Sequence, residues 1–291
     1  MTLALSRRAA LAGLAAFAAA APARAALSSA EIEARFAAIE ARAGGRLGVA
    51  VIDSGDGRRV GRRADQRFPM CSTFKALAAA AALKRVDDGA ERLDRRVAYG
   101  PGDLLDYAPV SKAHVAEGAM SLGEICAAAI QWSDNAAANL LLKAIGGPAG
   151  FTAFARSLGD QVTRLDRDEP SLNSAIPGDE RDTTTPAAMA RDLQSVLVGE
   201  ALSEASRRRL EAWMIGDRVG DKRLRAGLPP DWGTGDKTGT GDHGVANAIA
   251  ILRPPGRAPL FVAVYYAESA GSTDERDSVH REVAQTTAQA F

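Results

Sequence analysis

The chain has 291 residues, 46% of them hydrophobic and 25% charged, with 36 basic residues balanced by 36 acidic ones. That is the composition of an ordinary globular protein long enough for a large core or two lobes, and it excludes a disordered chain. Balanced charge with no basic stripe excludes a nucleic-acid partner, and three scattered histidines, His114, His243 and His280, without a C-x-x-C or H-E-x-x-H run, exclude a metal site.

Residues 1–25, MTLALSRRAALAGLAAFAAAAPARA, place paired arginines before an apolar run of about fifteen residues and end in Ala23-Arg24-Ala25, the layout of a cleavable export signal. A membrane span needs roughly 20 apolar residues, so this shorter, alanine-rich run predicts no stable membrane anchor. Ser6-Arg7-Arg8 followed by Leu11 points to the twin-arginine route and a periplasmic or secreted protein. Cleavage near Ala26 leaves 33 basic against 36 acidic residues, a net charge of −3.

Next, SSAEIEARFAAIEARAGG predicts an amphipathic helix with a Ser cap, Ile32, Phe36 and Ile39 on one face, and a Gly-Gly stop. RLGVAVIDSGDGRRVGRR predicts a hairpin turning at SGDG. From Ser72 to about Gly220 the periodicity is helical, including SLGEICAAAIQW with a Ser121/Glu124 capping box, NAAANLLLKAIGG and TTPAAMARDLQSVLVG. DKTGTG, GVANAIAIL and PLFVAVYYAES then predict strands, and a closing helix runs from about Thr273 to Phe291. The mixed-charge clusters RRLEAWM and DERDSVHRE read as solvated helix faces.

This order predicts an α/β protein of the α+β type: an antiparallel sheet built from both chain ends and flanked by helices, plus an all-helical lobe, with a cleft between them. The expected boundaries are 26–68 and 217–291 for the sheet lobe, and 69–216 for the helical lobe.

Chemistry first shows in MCSTFK, residues 70–75, where Ser72 and Lys75 lie three apart at the start of a helix and so share a face. A Ser cap and a solvated lysine would explain that pair alone. SDN at 133–135 could likewise be a cap, and KTG at 237–239 an edge strand with a protective lysine. Caps and edges do not explain all three in this order. S-x-x-K, S-D-N and K-T-G together are the established signature of class A β-lactamases and penicillin-binding proteins.

On these motifs the mature sequence resembles a class A serine β-lactamase. A fourth element adds to the resemblance: RLDRDEPSLNSAIPGDERDTTTP, residues 164–186, is similar to the family's omega loop, set here at 164–182. The resemblance implies that Glu169 is the deacylating base, that Asn173 helps hold the hydrolytic water, that Glu169-Pro170 is cis, and that Arg167 and Asp182 close the loop. It also implies Ser72 as nucleophile, with its N–H and that of Thr240 as oxyanion hole. Lys75, its charge disfavoured by Lys237, or Glu169 through water would be the acylation base. Ser133 would relay a proton to the β-lactam nitrogen and Asn135 would hold the side-chain amide. Lys237, Thr238, Gly239 and Thr240 would surround the substrate carboxylate, and Tyr107 would form one wall.

Two departures stand out. Many members carry an arginine where this chain has Ala246, and Arg223 matches the alternative position used by others. Cys126 lacks its partner, since Ala79 stands there, and the family's partner for Cys71 falls at Gly241, so both thiols are expected to be free. The implied activity is hydrolysis of penicillins and cephalosporins through a serine acyl-enzyme, conferring antibiotic resistance, with no cofactor and a monomeric chain. The alternatives are a D,D-peptidase, which lacks a deacylating glutamate, and a β-lactam sensor module, which needs a membrane transducer.

Overall fold

The computed structural model describes residues 27–291, so the export-signal reading of 1–25 lies outside the described residues. Helix α1 (Ser29–Ala43) starts at a reciprocal Ser28/Glu31 capping box, buries Ile32, Phe36 and Ile39, and stops at Gly44, whose φ is 71°. Strands β1 (Arg46–Asp53) and β2 (Arg59–Arg62) form the expected hairpin. Two-residue β3 (Phe68–Pro69) leads into a 3-10 turn at Cys71–Thr73 and helix α2 (Phe74–Asp87). Short strands β4 (Arg96–Ala98) and β5 (Ala119–Ser121) pair around α3 (Pro109–His114).

Helix α4 (Leu122–Gln131) opens at the predicted Ser121/Glu124 box. It is followed by α5 (Asn135–Ile145) and α6 (Gly147–Ser157). The sequence reading takes Gly146-Gly147 as a stop. Gly146, at φ 93°, does end α5, but Pro148 just beyond it suits a first helical turn and starts α6 at once. Strand β6 (Thr183–Thr184) pairs with β3, and helices α7 (Pro186–Leu197) and α8 (Glu204–Ile215) follow. The chain closes with β7 (Gly233–Gly241), β8 (Val245–Arg253), β9 (Leu260–Ala267) and α9 (Thr273–Ala290).

The main sheet has the order β2-β1-β9-β8-β7, with every neighbouring pair antiparallel. It is therefore woven from both chain ends, as expected. Both faces are covered, which is why its central strands β1, β9 and β8 read as near-continuous apolar runs. Along β9, Phe261, Ala263 and Tyr265 face the core shared with the helical middle, while Leu260, Val262, Val264 and Tyr266 alternate into the core under α1 and α9.

Helix α2 runs through that middle core with Ala76 to Leu83 all buried, and its small side chains let neighbouring helices approach closely. The mixed-charge cluster in α9 departs from its reading as a solvated face: Asp277, Val279 and His280 are buried. RRLEAWM likewise has a buried side, formed by Leu210, Trp213 and Met214.

Candidate active site

Three pieces of backbone converge at the sheet's β7 edge. The turn before α2 places Cys71 at φ 45° and carries Ser72; Thr73 Oγ1 donates to Met70 O (2.8 Å). Strand β7 lies against this turn because Gly239 has no side chain: a Cβ there would fall 2.8 Å from Met70 O and 3.2 Å from Ser72 N. Asn247 on β8 fastens the same turn, its Nδ2 donating to Pro69 O and Met70 O.

Opposite, Ser133 sits at φ 54° between α4 and α5. Asp134, fully buried, caps α5 through Ala137 N (2.8 Å) and also accepts from Val110 N, Ser111 N and Ser111 Oγ. The cap reading of Asp134 thus holds, and the cap also pins the wall that carries Tyr107, whose carbonyl accepts from Asn135 N (3.0 Å).

The loop at 164–182 supplies the third wall. Its Glu169-Pro170 bond is cis. Asp182, buried at φ 58°, accepts from Arg167 Nε (2.6 Å) and from the N–H groups of Asp166 (2.7 Å) and Arg167 (2.9 Å). Asn139, which the sequence reading did not single out, clamps Glu169 from α5: its Oδ1 accepts from Glu169 N and its Nδ2 donates to Glu169 O, both at 2.9 Å. It lies one turn beyond Asn135 on the same helix, and that i+4 spacing was the available signal. Asp182→Ala leaves Arg167 unpaired and two backbone donors orphaned, at a cost of about 3–5 kcal/mol. A lowered thermal midpoint together with faster proteolysis within 164–182 would register it; an unchanged midpoint would refute it.

At the centre, Ser72 Oγ donates to Glu169 Oε1 (3.1 Å), and Lys75 Nζ reaches the same oxygen at 2.9 Å with both side chains fully buried. Lys75 also donates to Ser133 O (2.8 Å) and Asn135 Oδ1 (2.7 Å). Lys237 Nζ donates to Ser133 Oγ (3.1 Å) and Thr238 O (2.7 Å). Asn173 Nδ2 donates to Glu169 Oε2, while its buried Oδ1 has no partner among the described residues.

Burial holds the Lys75 ammonium below its usual range against the opposing pull of Glu169, so burial, and not Lys237, is the main cause. Burial likewise brings Lys237 down to about 7. Lys237 is no protective edge lysine, because it is fully buried. Ser72, Tyr107, Asn135, Asn173, Arg223 and Thr240 all line one cleft of about 300 Å³, with Lys75, Glu169 and Lys237 buried behind it.

Residues 31–291 match the family model described as the beta-lactamase enzyme family. The chain is 47% identical to the β-lactamase CTX-M-8 of Citrobacter amalonaticus over 86% of its length and 85% of that relative's. It is 50% identical to the β-lactamase AST-1 of Nocardia asteroides, covering 83% and 78%. The solved class A β-lactamase of the last common ancestor of Gram-negative bacteria superposes with a TM-score of 0.88 at 61% identity, covering 89% of this chain and 99% of that one. The chain belongs to the class A β-lactamase family.

In this β-lactamase Arg223 is almost fully buried beneath β7. Its Nη1 donates to Gly239 O and Asn247 O (both 2.7 Å), its Nη2 to Thr240 Oγ1 (2.8 Å), and its Nε to Asp277 Oδ1 (2.9 Å). Ala246 pairs directly across from Thr240, so an arginine there would stand beside the same hydroxyl on the sheet. Asp277 is the partner that the sequence reading assigned to a solvated face. A buried guanidinium needs a carboxylate, and only the tertiary fold shows which one.

Both cysteines of the β-lactamase are buried and free, as expected. A Cβ at Gly241 would lie 2.6 Å from Cys71 Sγ, so the bridge used by some members is lost through the residue at 241 and not through distance.

Proposed function

We propose that this class A β-lactamase opens the amide of penicillins and cephalosporins in two steps, acylation of Ser72 and hydrolysis of the acyl-enzyme. Hydrolysis of the β-lactam amide, and with it antibiotic resistance, is the activity of the family. The single observation that carries the assignment of roles is the Ser72–Glu169–Asn173 line of contacts. A carboxylate that bonds the nucleophile on one oxygen and an amide with a free buried acceptor on the other can take the serine proton, then hold and deprotonate a water. Because Ser72 Oγ bonds Glu169 and not Lys75, Glu169 is the favoured acceptor in both steps. Lys75, which touches both that carboxylate and Ser133, carries the proton taken in acylation from Glu169 to Ser133, so Glu169 is again a carboxylate when water attacks.

The N–H groups of Ser72 and Thr240 serve as the oxyanion hole, and Ser133, bonded to Lys237, passes a proton to the leaving nitrogen. Lys237, Thr238 and Thr240, the last held by Arg223, receive the substrate carboxylate, while Asn135 and Tyr107 flank the side chain. Arg223→Ala is expected to lower kcat/KM for benzylpenicillin roughly 10- to 100-fold, the worth of one lost charge-assisted contact. Unchanged efficiency would refute the role.

The cleft lies between a sheet lobe of 26–68 and 217–291 and a helical lobe of 69–216. The protein is exported by the twin-arginine route of residues 1–25 and works as a periplasmic or secreted monomer. The deciding experiment mixes purified protein with a chromogenic cephalosporin. Many turnovers per enzyme are expected; a single stoichiometric burst would favour a D,D-peptidase or a sensor.

A further inference from the structure

Two buried carboxyl groups lie behind Lys237, and neither lines the cleft. Asp217 follows the end of α8 and Asp236 precedes Lys237 on β7; both are buried. Each has one oxygen accounted for. Asp236 Oδ1 accepts from Arg225 Nε (2.6 Å), and Asp217 Oδ1 from Val219 N (3.0 Å). The remaining oxygens, Asp217 Oδ2 and Asp236 Oδ2, have no hydrogen-bond partner among the described residues.

These two oxygens converge. A Cβ at Gly220 would lie 2.1 Å from Asp236 Oδ2 and 2.6 Å from Asp217 Oδ2, so they meet over the vacant side-chain position of that glycine. Two ionised carboxylates facing each other in a buried site repel, and each would leave an acceptor unsatisfied; one proton between them removes both costs. Burial raises both groups, and the charge of Asp217 raises Asp236 further, against Arg225 and Lys237.

Lys237 faces the opposite problem. Among the described residues no carboxylate lies within 4 Å of its Nζ. The charges that favour its ammonium are Asp217 first and then Asp236, and Lys75 and Arg223 oppose it.

We propose that Asp217 and Asp236 share one proton across Gly220 and, as a pair with a single negative charge, keep Lys237 charged for the substrate carboxylate. Both are positioning residues, and the second half of the inference rests on the reading of Lys237 given above. In Asp217→Asn or Asp236→Asn an amide N–H takes the place of the shared proton and the other carboxylate keeps the charge. Each single variant should lose at most about twofold in kcat/KM for benzylpenicillin at neutral pH, while the double variant should lose at least about twentyfold, chiefly through KM. The alkaline limb of the double variant's profile should move to lower pH, because Lys237 then loses its proton sooner. Single variants as damaged as the double, or losses that simply multiply, would overturn the shared proton.

Where the double variant fails to fold, 13C NMR of aspartate-labelled parent protein decides independently of catalysis. One of the two carboxyls still protonated in mildly acidic solution, above the ordinary aspartate range, supports the pair; both ionised overturns it. An unchanged KM in Lys237→Ala would overturn the link to the substrate carboxylate while leaving the NMR result standing.

Discussion

Glu169→Ala is expected to give a protein that is acylated by benzylpenicillin and then stalls. Among the described residues no other carboxylate bonds Ser72 Oγ. Asn173 retains its free acceptor but cannot remove a proton from water, and Lys75 is turned toward Ser133 and Asn135. Loss of a positioned general base costs about 10²–10⁴-fold, so turnover should fall by roughly 10³-fold. Intact-mass spectrometry should show a single adduct on Ser72 that persists for many parent turnover times. An adduct that clears at the parent rate would assign deacylation elsewhere. Acylation itself should also slow, because Ser72 Oγ loses its hydrogen-bond acceptor.

Ser72→Ala is expected to abolish both the adduct and the turnover. The oxyanion donors, Lys237 and the carboxylate cradle all remain, so binding should persist while the covalent route is gone. Removal of a nucleophile from such a constellation lowers kcat by about 10⁴- to 10⁶-fold. Kinetics with a chromogenic cephalosporin would measure the loss, and a competition assay should return a near-parent affinity. Residual hydrolysis within about tenfold of the parent would mean that water attacks directly under Glu169, contrary to the acyl-enzyme route. The two variants together separate the steps: one accumulates the intermediate and the other never makes it.

How far these residues were legible depended on whether their reason for existing was local. Asp134 caps the helix it precedes and Ser121 with Glu124 forms a box, so chain neighbours alone reveal them, whereas Ser72 and Lys75, three residues apart, gained meaning only beside S-D-N and K-T-G. The apolar runs of β8 and β9 likewise revealed them as strands. Asp277 was illegible for the opposite reason. Within DERDSVHRE it looks like any charge on an exposed helix, and its meaning comes from Arg223, fifty-four residues away, through a bond that exists only after α9 docks. Asn139 left only its i+4 spacing from Asn135 as a clue, because its partner is the main chain of a distant loop. The dominant influence on the charge of Lys75 was not legible either, since desolvation is a property of the finished interior.

The placement of β9 between β1 and β8 has a consequence for how the molecule is made. Arg46 is paired with Ala267 and Asp53 with Leu260, so the hydrogen-bonding edge of β1 stays vacant until almost the whole polypeptide has left the ribosome. The first hairpin to be synthesised therefore exposes a sticky ribbon throughout elongation, and closure demands contacts between segments more than two hundred residues apart. The helical middle can gather around α2 in the meantime, but the β7 wall of the cleft joins it only when the last fifth of the chain arrives. Catalytic competence is thus withheld from every product of translation that ends before β9.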